Sequence, residues 1–293
     1  MRDLPPGNAE AFAQRLAAMR PKLHRYCARM TGSVIDGEDV VQEAIVKAFE
    51  AFPGETAIDN VEAWVFRIAH NSALDLLRRR ARQELWISET PLEDIPDPDI
   101  GAEHRLAMAA NLRTFMQLLP AQRAAVILMD VLGYSLQEIA VVLGASVASV
   151  KASLHRGRTR LRELASAPIG GPQPRLEAAD LKQLSAYIER FNAHDFDSIR
   201  AMLAEDVRLD LMNRVRWTGR ELTGRYFGNY SAADDWRLAL GGVENRPAII
   251  VRDPSGAPLY FMLIEWAGDK VGRIVDYRHA RYVMELAELT GPP

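Results

Sequence analysis

The residues with the clearest chemical capacity lie between Gly133 and Leu164, GYSLQEIAVVLGASVASVKASLHRGRTRLREL. Lys151, His155, Arg156, Arg158, Thr159 and Arg162 share this stretch with two small residues, Ala148 and Ala152, at helical spacing. Small side chains let a helix approach a polyanion closely while long cations reach around it, as a recognition helix does in a major groove. The chemistry is recognition rather than bond making: cations on phosphates, and short polar groups on base edges. A solvated basic helix packed on a neighbour carries the same charges.

The surrounding residues supply the frame for such a helix. Ser135 and Glu138 have capping-box spacing, which starts a short helix with an apolar stripe of Leu136, Ile139, Ala140 and Leu143. Gly144 can take a positive φ at the turn and Ser146 can cap the next helix. Val147, Val150, Leu154, Leu161 and Leu164 then form that helix's inner face, opposite Ala148, Ala152, His155, Thr159 and Arg162. The pattern predicts a helix-turn-helix.

Two further helices carry polar faces that could recognise a partner. In residues 61–82, Trp64, Val65, Ile68, Ala69 and Leu76 can face a core. Phe66, Arg67, His70, Asn71, Asp75 and Arg78 remain on other faces, ahead of a run of Arg78, Arg79, Arg80 and Arg82. Rings stack on splayed bases, amides read base edges and guanidinium groups bind phosphates. A core helix whose basic last turn answers the helix dipole has the same pattern. In residues 35–52, IDGEDVVQEAIVKAFEAF, the side made by Val40, Val41, Ala44, Ile45, Ala48 and Phe49 reads as buried. Asp39, Gln42, Glu43 and Lys47 stay outside, on a face that is ordinarily just solvated.

With 293 residues, 48% of them hydrophobic, the chain is long enough for two or three packed domains. A net charge of −3 excludes a generic polyanion binder and confines nucleic-acid contact to the local basic patches. Cys27 is the sole cysteine, which excludes an internal disulfide and a cysteine-rich zinc site, and no motif calls for a cofactor. The N-terminus lacks a signal pattern and no apolar run approaches membrane length, so a cytoplasmic protein without a membrane partner is expected.

Punctuation divides the chain into a helical domain over residues 8–82, an acidic proline-containing linker over 83–104, and a helix-turn-helix domain over 105–166. A linker over 167–174 and a last domain over 175–290 follow. Pro21 is expected to split the first helical pattern, residues 10–30, into two helices. The last domain opens with a helix pair broken at Asn192-Ala193-His194-Asp195. Strand-like runs follow at Val207–Leu211, Ala248–Val251, Leu259–Ala267 and Val271–Tyr282. Helices first and an antiparallel meander afterwards predict an α+β domain.

Three of these segments together, Asp39-Val40-Val41-Gln42-Glu43-Ala44, the helix from Trp64 to Arg80 and the helix-turn-helix, resemble a sigma factor of bacterial RNA polymerase. More closely, they resemble the extracytoplasmic-function (ECF) group, over about residues 10–165. The resemblance implies two all-α domains whose partners are core RNA polymerase, at its β′ clamp helices and β flap, and promoter DNA. Asp39, Gln42 and Glu43 would dock on the clamp helices. Phe66, Asn71, Asp75, Arg78, Arg79 and Arg80 would read the −10 element, Asn71 lining the pocket for a flipped base. Ser149, Lys151, Ala152, His155, Arg156 and Arg158 would read the −35 element. The acidic linker would pass through the active-site and RNA-exit channel. No reaction is catalysed in that role.

The last domain resembles a SnoaL-like (nuclear-transport-factor-like) cone with a curved antiparallel sheet, on Tyr187 to Asp195 and Leu203-Ala204-Glu205-Asp206-Val207. In sigma factors such an extension implies a regulatory module that contacts the sigma domains. The Trp-Leu-Pro-Glu-Pro linker motif of one such subgroup is absent; the chain has IGGPQPR there. Trp217, Tyr226, Trp236 and Trp266 could wall a pocket in the cone, with His194, Asp210, Asp276 and His279 as further polar candidates. The alternative from another class is a DNA-tethered small-molecule sensor or a SnoaL-like enzyme, which has no use for the polymerase-docking face.

Overall fold

The apolar stripe of the first segment, Phe12, Leu16, Met19, Leu23, Tyr26 and Met30, is buried along one helix, α1 (Pro6–Thr31). Pro21 therefore does not divide it. The proline removes one backbone donor, but apolar residues on both sides of it pack on the same neighbours, and that burial outweighs the lost bond. Ser33 caps α2 (Val34–Ala51) by accepting from the Asp36 N–H at 3.1 Å. Gly37 lets α2 cross α1 at close range, since a Cβ there would stand 2.6 Å from the Ala28 backbone. α3 (Val61–Glu84) completes this first set. The computed structural model describes residues 6–52, 58, 60–84, 100–165, 178–231 and 235–291. Most of the loop over residues 53–60, most of the linker expected over 83–104 and all of that expected over 167–174 lie outside them.

The second set comprises α4 (Ile100–Ala109), α5 (Leu112–Met116), α6 (Pro120–Val126), a π-helical turn (Ile127–Val131), α7 (Leu136–Leu143) and α8 (Val147–Ala165). The helix-turn-helix has its expected joints. Ser135 and Glu138 form the capping box, Gly144 sits at φ +62°, and Ser146 accepts from the Ser149 N–H at 3.1 Å. The two helical sets share one hydrophobic core and form one compact unit, residues 1–169.

Buried charges fix how these helices meet. The Arg123 guanidinium, from α6, donates to the carbonyls of Met30, Met116 and Leu118, so it satisfies the end of α1 and the end of α5 at once. Its burial lowers its pKa to about 10. Arg158 on α8 grips Asp130 of the π turn with two parallel bonds, Nε–Oδ2 at 3.0 Å and Nη2–Oδ1 at 2.6 Å. Such planar two-point pairing is specific to arginine.

Residues 170–293 form a second unit with its own core. α9 (Ala178–Asn192) and α10 (Phe196–Met202) are joined by a turn in which His194 takes φ +58°. The strands are β1 (Leu203–Leu211), β2 (Val215–Thr218), β3 (Arg237–Val243), β4 (Arg246–Arg252), β5 (Pro258–Ala267), β6 (Lys270–Asp276) and β7 (Leu289–Thr290). α11 (Arg220–Tyr226) and α12 (Gly228–Ser231) follow β2, and a 3-10 turn spans Arg281–Glu285. Sheet order is β2-β1-β6-β5-β4-β3-β7. The expected antiparallel meander is β4 to β6; β3, not among the expected runs, extends it on one side, and β1 adds to it in parallel, beside β6, so the sheet is mixed. The Asn192 side chain donates to the Leu238 carbonyl at 2.8 Å and accepts from its N–H at 2.9 Å, which docks α9 on β3.

Replacing Asp130 with alanine leaves the Arg158 cation buried and unpaired, and is expected to destabilise the helical unit by about 3–5 kcal/mol in urea titrations. A double exchange of Asp130→Leu with Arg158→Met is expected to lose far less; equal losses would mean that packing, not charge, sets the joint.

Candidate nucleic-acid interface

On α8, Ser149 and Lys151 are exposed and Ala152, His155 and Arg156 are half-buried, whereas Val150 and Leu154 point into the core. The structure thus gathers five of the six expected contacts into one outward row. Arg158 is the exception. It is only 7% exposed and is held by Asp130, so its cation already has an internal counter-charge and is not offered to a groove. Its position near the border of the two faces left both readings open to helical periodicity.

On α3, Asn71, Asp75, Arg78 and Arg79 are exposed and Arg80 is half-buried. Phe66 departs from the expectation. It is fully buried, edge-on to Tyr26 (centroids 5.8 Å apart) and to Tyr134 (5.3 Å), because α7 of the second set packs on this side of α3. His70 is buried too, with its Nδ1 2.6 Å from the hydroxyl of Tyr26 on α1. The turn of α3 near Glu62 is tied to the helix-turn-helix by a polar knot that no pattern in the sequence indicates. Glu62 accepts from Lys22 at 2.6 Å and from Tyr134 at 2.5 Å, and the Lys22 ammonium lies 4.2 Å from the Tyr134 ring centroid. Burial pushes the Glu62 carboxyl up, but the Lys22 and Tyr134 hydrogen bonds win and hold it below its usual 4.5.

On α2, Asp39 is exposed and Gln42 and Glu43 are half-buried, on the side opposite Val40, Val41 and Ala44. Phe49, expected inside, is 39% exposed and leans on Phe12. Val46 adds to this exposed side at 55%.

In the second unit, Tyr226 and Trp236 meet around Tyr230, with ring centroids 5.1 and 5.3 Å from it. Trp217 on β2 and Trp266 near the end of β5 pack half-buried at other places on the core. The centre of the cone is Asp276, fully buried, whose Oδ2 accepts from Tyr226 at 2.5 Å and Tyr230 at 3.1 Å. Burial raises its carboxyl above 3.8, against the hydrogen bonds from Tyr226, the Arg278 N–H and Tyr230. Asp210 pairs with Arg273 and Arg216 across neighbouring strands, and His194 stacks on Trp236. Among the described residues no cluster of His, Cys, Asp or Glu could hold a metal ion, and no single helix is long and apolar enough to cross a membrane.

A helix-turn-helix with a basic outer row, joined to a helical set with an arginine-tipped helix, defines a DNA-binding transcription protein. Residues 16–83 match the family model for Sigma-70 region 2, and residues 110–161 match that for Sigma-70, region 4. The chain is 33% identical to the ECF RNA polymerase sigma factor SigM of Mycobacterium tuberculosis, over 54% of this chain and 79% of SigM. It is 28% identical to SigG of the same organism, also an ECF RNA polymerase sigma factor, over 91% of this chain and 80% of SigG. A crystal structure of the M. tuberculosis extracytoplasmic function sigma factor SigJ aligns over 90% of this chain and 95% of that one, at 20% identity and a TM-score of 0.36. The chain belongs to the ECF sigma factors of RNA polymerase. Its second unit has the helices-then-sheet order of a SnoaL-like domain.

Two buried histidines give this unit a pH dependence. Burial lowers both His24 and His70 from 6.5 to about 4, against the Val34 carbonyl bond at His24 and helped by the Arg78 cation at His70. The folded state therefore holds these protons more weakly than the unfolded chain. Stability is complete above pH 6.5 and falls as pH drops toward 4. Between pH 7 and 5 the loss expected in urea titrations is roughly 2 kcal/mol per histidine. His70→Gln should remove its share of the slope; an unchanged slope would place the pH dependence elsewhere.

Proposed function

We infer that this ECF sigma factor is a promoter-specificity subunit that joins core RNA polymerase, reads −10 and −35 elements and starts transcription. The observation that carries the reading is the pair of exposed to half-buried rows in one chain. Asn71, Asp75, Arg78, Arg79 and Arg80 lie along α3, and Ser149, Lys151, Ala152, His155 and Arg156 lie along α8. Free polymerase holds DNA mainly through phosphates, which carry no sequence information. Two base-reading rows at a set separation add that information. A pocket at Asn71 for an unstacked base lowers the cost of opening the duplex.

In this reading the outer side of α2, with Asp39, Gln42 and Glu43, meets the β′ clamp helices, and the helix-turn-helix set meets the β flap. The chain supplies recognition and polymerase supplies the chemistry. The SnoaL-like unit regulates the activity of the sigma domains. Having its own core, it can be removed without cutting through the core of the helical unit.

Run-off transcription with purified core polymerase on a promoter library tests this. The full chain is expected to give promoter-dependent transcripts, and a chain ending at Ala165 to give a different yield. Silence from both, with no core complex on a sizing column, would overturn the reading. Lys151→Ala is expected to weaken selected −35 sequences by about 1–3 kcal/mol relative to others if it touches a base edge. A uniform loss on all sequences would make it a phosphate contact.

A further inference from the structure

The arginine run at the end of α3 is not a bare cationic patch. Arg79 Nη2 lies 3.7 Å from Glu43 Oε2, and Arg80 Nη2 lies 2.7 Å from Asp36 Oδ1. Arg78 Nη1 lies 3.1 Å from Asp75 on its own helix. Lys47 bonds Glu43 at 2.6 Å and also donates to Ser72 of α3 at 3.0 Å. The carboxylates that hold Arg79 and Arg80 thus stand on α2. Glu43 belongs to two surfaces at once, the outer side of α2 and the arginine-tipped end of α3.

These pairs are half-exposed, with side-chain accessibilities of 57% for Arg79 and 37% for Glu43. Such pairs add little to folding stability and exchange partners readily. A ligand cation that takes the Glu43 carboxylate leaves Arg79 without its counter-charge and able to bind a phosphate. Thermodynamic reciprocity then requires that loss of the Arg79 cation make Glu43 a better ligand for that cation.

We propose that Glu43 couples polymerase docking to DNA binding: basic side chains of the docked polymerase take Glu43, and Arg79 is released to the phosphates of the −10 strand. This rests on the sigma reading above and adds to it a reason for the order of events. Before docking, the carboxylates of α2 screen the arginine run; after docking, the same run is uncovered where the DNA enters.

The test measures two affinities of the full-length chain at low ionic strength, after circular dichroism has shown each variant folded. Arg79→Ala is expected to bind core polymerase about two- to fivefold more tightly than the unchanged chain, and Arg79→Lys to bind it about equally. Glu43→Gln, in the absence of polymerase, is expected to bind a single-stranded oligothymidylate about two- to fivefold more tightly, a gain that fades at high salt. Both gains are required. Unchanged or weaker core binding by Arg79→Ala, or unchanged oligonucleotide binding by Glu43→Gln, would overturn the coupling while leaving the sigma reading in place. No core binding by the unchanged chain would sink both.

Discussion

The helical unit depends on α3 being buried from two directions while keeping one strip outside. α1 and α2 pack on it, and α7 packs on it from the helix-turn-helix, while Phe66 is wedged between Tyr26 of α1 and Tyr134 just ahead of α7. An α-helix turns about 100° per residue, so two buried sides leave a narrow arc. Asn71, Asp75 and Arg78, at spacings of four and three, run along that arc. Side chains on such a strip are aimed by a helix that has little freedom to rotate, which is what precise recognition of bases needs.

Charge does two different jobs in this molecule, separated by depth. Inside, Arg123 binds backbone carbonyls and Arg158 binds Asp130, and each acts as a joint between elements that apolar contact alone would let slide. A buried cation without its partner is strongly unfavourable, so such joints close in one arrangement. At the surface, the pairs Arg79–Glu43 and Arg80–Asp36 obey the same Coulomb law in a far higher dielectric. The Asp276 cluster in the second unit belongs to the inner kind, with phenols in place of a cation.

Much of this was legible in the sequence where the signal is local. The capping box at Ser135, the left-handed turn at Gly144 and the break at Asn192 to Asp195 are set by neighbours within one helical turn. So is the outward row of α8. What could not be read depends on partners far along the chain. Phe66 and His70 look amphipathic on α3 alone and are buried because Tyr26 of α1 meets both and Tyr134 closes on Phe66. Arg158 reads as one more cation in a basic helix until the π turn places Asp130 beneath it. Pro21 signals a break that long-range packing overrides. β3 carries Gly241 and Gly242 and has weak strand character, and its hairpin to β4 turns on Glu244 and Asn245, both at positive φ. The parallel seat of β1 beside β6 is a matter of strand order, which no local pattern encodes.

The side chain of Asn192 has a consequence for how the second unit behaves among other proteins. The outer border of β3 would otherwise present an open backbone ladder, a template on which a foreign strand can grow. Its far end is closed by β7 at Gly242 and Val243, and its near end by the Asn192 amide, whose oxygen and nitrogen stand in for a peptide group at Leu238. An amide borrowed from a helix satisfies one residue and cannot be extended to the next. The border is therefore terminated rather than merely occupied, and an invading strand would have to lift α9 from its core before it could form a first bond at Leu238.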